Sequence, residues 1–308
     1  MVRLYSDFGH RQFNFSHERG RKIRLPLPKV NPSLAGAGVA VLALLSVTPP
    51  TLSAQTRFFP DVPAFELPLA SPRVNGLAGR MFKATRGDNQ FGAEREAEVT
   101  VGEDFPAIGI RGGERPINLG FGALVYARFS LDDAKSSMIS NDWQVGFNLH
   151  ADLRPWELAL QLYHESSHLG DEYAATFSAK RIDWTREVLA AWVGYRAGRF
   201  RVMASGGYFP IDELDLSRWG ASVGVDFQGA EFVFIGQRMR PLAGFFTEGA
   251  SATSWRLSTS AKVGIAFPGM KAGKEFSLSF IAHDGLSTQR QFFRKDLRYF
   301  GLELGFQL

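Results

Sequence analysis

The residues with the clearest chemical potential form the segment HESSH at positions 164–168. Two histidines four residues apart, with a glutamate after the first, match the HExxH pattern of zinc proteases, in which a helix places both imidazoles on one face. Here, however, Trp156, Leu158, Leu160 and Leu162 alternate with less apolar residues, which predicts a β-strand. Four residues of a strand span about 13 Å, too far for two histidines to share one Zn²⁺ through bonds of about 2 Å. The pattern therefore predicts a strand that ends in a polar cluster, and it disfavours a zinc protease.

A second chemistry uses residues two apart, which share one face of a strand. His164 and Ser166 would lie about 6.6 Å apart at Cα, within side-chain reach of a nucleophile and a general base. Their parity places them on the same, lipid-facing side as the preceding leucines. Glu187, near the start of the next predicted strand, would orient the imidazole, and groups around Ser167 and Gly170 would supply the oxyanion donor.

The structural alternative for the same residues is an interfacial belt. In this interpretation the polar residues hydrogen-bond to lipopolysaccharide headgroups or to neighbouring strands; they are His164, Ser166, His168, Asp171 and Glu172. We take the belt as the first interpretation, and an acyl hydrolase or a porin or transporter as alternatives, so the sequence leaves open whether the protein is an enzyme. No cofactor is predicted, although the adjacent carboxylates of Asp171 and Glu172 match the oxygen ligands that Ca²⁺ prefers.

The cluster belongs to a repetitive series of alternating segments separated by turns. Short connections, such as Leu153-Arg154-Pro155 and Ala197-Gly198, alternate with long polar ones, such as 169–183 and 284–294. This sorting of loops is typical of an all-β transmembrane antiparallel barrel with tight periplasmic turns and extended outer loops. About twelve strands are predicted, at 74–85, 95–104, 117–130, 141–153, 156–168, 184–196, 199–209, 215–228, 231–240, 254–267, 274–284 and 297–308.

The parity of the strands predicts which side chains face the lumen. In the last strand Phe300, Leu302 and Leu304 alternate with small or polar residues that include Glu303. In the strand that carries the cluster, the inward set is polar or charged at most positions and comprises Glu157, Ala159, Gln161, Tyr163 and Glu165, with Arg186 inward on the next strand. A polar lumen of this kind is compatible with a narrow pore or with an interior filled by side chains and loops.

The first 54 residues have the layout of a secretory signal peptide. A basic region precedes an uncharged run at 33–47 and then small residues up to Ala54. This leader holds 7 of the 35 Lys and Arg and 2 of the 31 Asp and Glu, which leaves 28 against 29 and a net charge of −1 for residues 55–308. Such a balance gives no basis for nucleic-acid binding. The absence of cysteine suits a protein exported into an oxidising periplasm.

Between the leader and the first barrel strand lies a proline-rich segment, residues 55–73. Its part from Phe58 to Arg73 contains Pro60, Pro63, Pro68 and Pro72, which argue against a regular strand or helix there. We interpret it as an extended periplasmic arm or a plug-like segment, followed by the barrel at 74–308. Export and barrel architecture together predict the outer membrane of a Gram-negative bacterium, with membrane lipids, lipopolysaccharide and the barrel-insertion machinery as partners.

Several motifs resemble a bacterial family of outer-membrane proteins that is defined only as a domain of unknown function. They are HESSHLGDE at 164–172, SPR at 71–73, VGEDFP at 101–106, REVL at 186–189, and the tail from Asp284-Gly285 to Tyr299-Phe300-Gly301-Leu302. This resemblance implies an outer-membrane barrel and no established activity. The His-x-Ser pair also resembles, locally, the arrangement on the barrel walls of outer-membrane phospholipase A and lipid A deacylases, although Ser167-His168 follows here where those enzymes have a continuation containing Asn or Gly.

Overall fold

The alternating segments form one closed antiparallel sheet. A computed structural model describes residues 55–60, 65–87, 94–112, 115–132, 134–269 and 275–306, so the predicted leader and residues 61–64 lie outside the described residues. Its elements are β1 (Gln55–Phe58), β2 (Leu77–Arg86), β3 (Arg95–Gly112), β4 (Arg115–Ser130), β5 (Met138–Leu153), β6 (Trp156–Leu169), α1 (Asp171–Phe177), β7 (Trp184–Ala197), β8 (Phe200–Asp212), β9 (Trp219–Gln228), β10 (Phe232–Phe234), β11 (Gln237–Ala250), β12 (Ser258–Phe267), β13 (Phe276–Leu286) and β14 (Asp296–Phe306).

Twelve of these strands make the barrel, and the ring closes where β14 pairs with β2. β1 is an additional strand on β3, and β10 forms a small hairpin with the start of β11. Closure satisfies the backbone groups that an open sheet edge would expose to hydrocarbon. The predicted fold and strand number are therefore confirmed. Within the described residues, no helix has the length and apolarity needed to cross a membrane.

One predicted strand was misplaced. The ninth strand was expected at 231–240 with an outer loop at 240–253, whereas β11 runs from Gln237 to Ala250. Pro241 cannot donate to the ladder and interrupts the alternating pattern at this point. In the structure β9 pairs with β11 only from Leu242 onward, so Pro241 lies just beyond that pairing. Residues 240–250 of the predicted outer loop are strand instead, and only 251–253 belong to a connection.

The outer wall is apolar and the interior is charged, as the strand parity predicts. Phe300, Leu302 and Leu304 are about half exposed on the outer face, while the intervening Glu303 is 2% exposed. Arg80 on β2 donates to Glu303 (Nε to Oε2, 2.6 Å) and to Glu98 on β3 (Nη1 to Oε1, 2.8 Å), and Lys262 forms a further ion pair with Glu303. Buried charges of this kind are tolerated because each has partners.

Two segments fill much of the lumen. The first, here called the plug, comprises residues 65–73 and extends inward from the end of the barrel where the short turns lie. Its Leu69 N donates to Asp226 (2.8 Å), and the carbonyl of Glu66 accepts from Arg201 (2.6 Å). A Cβ added at Gly224 of β9 would lie 2.5 Å from Pro68, so the barrel wall has a glycine where the plug passes. The sequence left open whether the proline-rich segment is a periplasmic arm or a plug-like segment; residues 65–73 lie inside the barrel, as a plug does.

The second segment, here called the inward loop, is the β13–β14 connection at residues 287–295. Its Gln289 and Gln291 are buried, and Gln291 donates to the carbonyls of Ser167 and Ile182 at 2.8 Å each. The plug and the inward loop meet where Arg73 Nη2 donates to the carbonyl of Thr288 at 2.9 Å. The lumen is therefore occupied from both ends.

Candidate functional site

Strand β6 carries two different sets of side chains in its outer half. Glu165 and Ser167 point into the lumen and are 2% and 4% exposed, whereas His164, Ser166 and His168 alternate with them on the outer face. This alternation follows directly from the two-residue period of a strand. The polar cluster is therefore divided between an outer surface that is open to the surroundings and an interior that is packed.

His164 and Glu187 form the centre of the outer set. They are direct partners in the register of β6 and β7, and His164 Nδ1 lies 2.9 Å from Glu187 Oε1. The His164 and Glu187 side chains are 39% and 35% exposed. A carboxylate that accepts the Nδ1 proton fixes the imidazole tautomer and leaves Nε2 as the basic nitrogen. This is the arrangement that orients a general base.

Ser166 lies next to this pair on the same face of β6. Its cross-strand neighbours are Trp143 on β5 and Thr185 on β7. In the part of the chain that the structure describes, no hydrogen bond joins Ser166 Oγ to the His164 ring. Contacts between a nucleophile and its base are commonly long in the unliganded state and shorten when substrate binds. Ser166, His164 and Glu187 therefore lie together on one surface. The contact between His164 and Glu187 is formed, and the contact between Ser166 and His164 is not.

The surroundings of the pair are apolar and exposed. Trp143, Val145, Leu162, Leu189 and Ile211 are 39–57% exposed on β5, β6, β7 and β8. In a membrane this surface faces acyl chains. A hydrophobic substrate could approach His164 and Ser166 by lateral diffusion in the lipid, without entering the barrel.

The remaining motif residues serve the packing of the barrel and its loops. Ser167 donates to Asp142 inside the lumen. Gly170 N donates to the Ile139 carbonyl at 2.8 Å, and a Cβ at Gly170 would lie 1.8 Å from Met138 O. Neither the Ser167 hydroxyl nor the Gly170 N–H is thus available as the oxyanion donor.

The predicted Ca²⁺ ligands and the two histidines of the HExxH pattern lie on different elements. Asp171 and Glu172 form the first turn of α1, where Asp171 pairs with Arg181. Across the described ranges no group of three His, Asp or Glu side chains converges in a way that could hold a metal ion. His168 lies on the outer face of β6, four positions beyond His164. Because both residues are in a strand, they are too far apart to bind one zinc ion together.

Sequence reasoning did not identify the lumenal network behind the site. Asp142 is fully buried and binds Ser167, Arg73 of the plug and the backbone N–H of Arg290 in the inward loop. Glu165 pairs with Arg73 at 3.2 Å and with Arg290 at 2.9 Å. Burial opposes the charge on Arg73, but Glu165 and Asp142 raise its guanidinium pKa above the usual value. The inward parity of Glu165 was predicted, but its partners come from segments distant in sequence.

Fold and sequence comparisons agree with this architecture. The structure is similar to the outer membrane phospholipase (OMPLA) of Salmonella typhi, crystallised as a dimer with bound calcium, with a TM-score of 0.53, 13% identity, and coverage of 80% of this chain and 94% of that one. It is similarly close to outer membrane phospholipase A from Escherichia coli, with a TM-score of 0.53, 12% identity, and coverage of 80% and 93%. At such identities the likeness concerns the fold alone. No curated protein matches the sequence.

The fold thus defines the chain as a β-barrel of the outer-membrane class. Residues 20–308 match the family described as "Protein of unknown function (DUF1207)", and the chain belongs to that family. The predicted membership in an outer-membrane family without an established activity is confirmed.

Proposed function

We propose that this protein is an outer-membrane acyl hydrolase, with Ser166 as nucleophile, His164 as general base and Glu187 as the residue that orients the imidazole. The observation that carries the proposal is the 2.9 Å contact between His164 Nδ1 and Glu187 Oε1 on the outer face, with Ser166 two residues along the same strand. The belt interpretation also allows a hydrogen bond between His164 and the neighbouring strand, so the reactivity of Ser166 is what separates the two functions.

The reaction follows the logic of a serine esterase. Ser166 Oγ attacks the carbonyl carbon of a lipid ester while His164 Nε2 takes the hydroxyl proton. The proton passes to the departing alcohol oxygen, which leaves an acyl group on Ser166. Water, deprotonated by His164, then attacks this ester, the fatty acid departs, and the proton returns to Ser166. Glu187 accepts the Nδ1 hydrogen bond throughout and stabilises the imidazolium that forms twice in the cycle.

The substrate class follows from the apolar surface around the pair. Trp143, Val145 and Ile211 would contact acyl chains, so the substrate is an acylated lipid of the outer membrane, either a phospholipid or lipopolysaccharide. The similar fold of two outer membrane phospholipases supports this class. The occupied lumen weighs against the porin alternative, because the plug and the inward loop meet inside the barrel.

Labelling with a fluorophosphonate probe tests the nucleophile without knowledge of the natural substrate. The wild type should be labelled, Ser166→Ala should not, and His164→Ala should be labelled at least about a hundredfold more slowly, since general base catalysis contributes about 10²–10⁴-fold. His168→Ala is the matched control, because His168 lies on the same face of β6 and should leave labelling unchanged.

Lipid analysis distinguishes the substrates. Mass spectrometry of phospholipids and lipid A from cells expressing the wild type, Ser166→Ala or Glu187→Gln should show acyl loss with the wild type alone, and the lipid that loses the chain identifies the source. Slower migration on gels after boiling should show that each variant is folded. Identical lipid profiles and equal labelling in all folded variants would refute the hydrolase and leave the predicted structural belt.

A further inference from the structure

The outer face of β6 carries a nucleophile and a base, and their chemistry also requires a donor for the oxyanion. When Ser166 Oγ adds to an ester carbonyl, negative charge develops on the carbonyl oxygen, and a fixed hydrogen-bond donor at that oxygen lowers the barrier. Neither the Ser167 hydroxyl, which donates to Asp142, nor the Gly170 N–H, which donates to a carbonyl, can fill this role. The donor must therefore come from another group on the outer face.

The backbone N–H of Ser166 is used in the sheet. Ser166 lies between Trp143 of β5 and Thr185 of β7 in two uninterrupted antiparallel ladders. In such ladders the backbone groups of successive residues point alternately to the two neighbouring strands. The carbonyl of Thr185 accepts from Glu213 N at 3.2 Å, on the side away from β6. The backbone of Ser166 is therefore bonded to Trp143, and by the same alternation the Ser167 N–H is bonded to β7.

This alternation also makes Ser166 and Thr185 a closely spaced pair. Because Thr185 directs its backbone groups to β8, it faces Ser166 in a non-hydrogen-bonded pair, with Cα atoms about 4.5 Å apart. Both side chains lie on the outer face, since the residues before and after them in β6 and β7 are buried. The next pair of this type along the two strands is His164 and Glu187, whose side chains meet at 2.9 Å.

Thr185 has an available hydroxyl at this position. Its side chain is half-buried, and among the described residues its Oγ1 forms no hydrogen bond. A hydroxyl has one donor hydrogen, which rotates toward its acceptor. Other donors beside Ser166 are already used, since Trp143 Nε1 donates to Asn141 Oδ1 at 2.8 Å and Asn141 Nδ2 points to Met138 Sδ at 3.3 Å.

We propose that Thr185 is the oxyanion donor of this hydrolase, an assignment that rests on the proposed function. Ser166 Oγ bonds to the ester carbon, an electron pair of the C=O bond moves to the oxygen, and His164 holds the hydroxyl proton. The Thr185 hydroxyl donates to the oxygen while it is negative. When the C=O bond re-forms, the alcohol departs with the proton from His164. The same contact forms again when water attacks the acyl group on Ser166.

This role for Thr185 defines how the substrate lies on the barrel wall. The two ladders place Thr185 on one side of Ser166 and Trp143 on the other, while His164 lies along the strand. With the carbonyl oxygen toward Thr185 and the departing alcohol toward His164, the acyl chain extends over Trp143. The indole of Trp143 is 51% exposed and is held by its hydrogen bond to Asn141, so it offers a fixed apolar surface.

Removal of the hydroxyl tests the assignment on the full-length protein refolded in detergent. Thr185→Val should react with the fluorophosphonate probe about a hundredfold more slowly than the wild type, since one oxyanion donor contributes about 10²–10³-fold. Thr185→Ser keeps the hydroxyl and should react within about tenfold of the wild type. Thr247→Val is the matched control, because Thr247 lies on the outer wall of β11, where its hydroxyl pairs with Thr259 at 3.4 Å. This control should react at the wild-type rate.

Hydrolysis of a p-nitrophenyl fatty-acid ester provides a second readout. Thr185→Val should lower kcat and leave KM nearly unchanged, because the oxyanion exists only after attack. Its pH profile should match that of the wild type, since His164 remains the base. If the wild type reacts at Ser166 and folded Thr185→Val reacts equally fast, the assignment of Thr185 is wrong and the hydrolase stands. If the wild type does not react at all, the hydrolase itself is wrong and the role of Thr185 falls with it.

Discussion

Replacement of Asp142 by asparagine tests how the plug, the inward loop and strand β6 are held together. Asp142 is fully buried and accepts hydrogen bonds from Arg73, from Ser167 and from the backbone N–H of Arg290 at 3.1 Å. Asparagine keeps the size of the side chain and one acceptor oxygen but removes the charge. Arg73 would keep Glu165, at 3.2 Å, and the carbonyl of Thr288, at 2.9 Å.

The size of the effect follows from these contacts. Removal of one partner of a buried ion pair costs about 3–5 kcal/mol, and the second carboxylate near Arg73 places Asp142→Asn at the lower end, at about 3 kcal/mol. The free energy of unfolding should be measured by urea titration in lipid vesicles, with tryptophan fluorescence as the signal.

Asp284→Asn is the matched control. Asp284 also pairs with two arginines, Arg86 at 2.9 Å and Arg298 at 2.6 Å, but its side chain is 49% exposed. Exposed pairs contribute about 0–1 kcal/mol, so this variant should lose 1 kcal/mol or less. If Asp142→Asn and Asp284→Asn lowered the free energy of unfolding equally, burial of the network would not be what stabilises the lumen.

Three further predictions concern the barrel. Gly224→Leu should displace the plug, because the new side chain would begin 2.5 Å from Pro68. Ion conductance in planar bilayers should therefore rise relative to wild type. Unchanged conductance would contradict a plug that packs against β9. Glu303→Gln should destabilise the barrel by about 2 kcal/mol more than Lys262→Met. Loss of the Glu303 charge leaves the buried Lys262 unpaired, whereas loss of Lys262 leaves Glu303 paired with Arg80. Urea titration of both variants measures the difference in the free energy of unfolding. The unboiled protein should migrate faster on gels than the boiled protein, with a strand-rich circular dichroism spectrum, and a helix-rich spectrum would contradict the fold.

Local periodicity was sufficient to predict the barrel and the two faces of β6. The inward positions of Glu157, Glu165 and Arg186 and the outward positions of His164 and Glu187 follow from the period of two and from the pairing of consecutive strands. Glu187 could be placed beside His164, 23 positions away, from its outward parity and its position near the start of the next strand, although β6 and β7 are joined by a long connection that contains α1.

Features that depend on distant segments could not be predicted in this way. Proline excludes residues 65–73 from the ladder but does not indicate whether such a segment lies inside or outside the barrel. The partners of Asp142 come from the plug, from β6 and from the inward loop, and no local pattern connects them. The ninth strand was misplaced because the apolar and small residues of QRMRPLAGFFTEGA do not alternate regularly along β11, so the pattern did not mark where this strand begins and ends.

The ion pair between Arg80 and Glu303 has a consequence for the order of assembly. These residues face each other across the seam between β2, the first barrel strand, and β14, the last. Before β14 is in place, Arg80 has only Glu98 of β3 as a carboxylate partner. An intermediate that lacks β14 is therefore destabilised in two ways: it has an open sheet edge, and Arg80 and Lys262 both lack Glu303 as a partner.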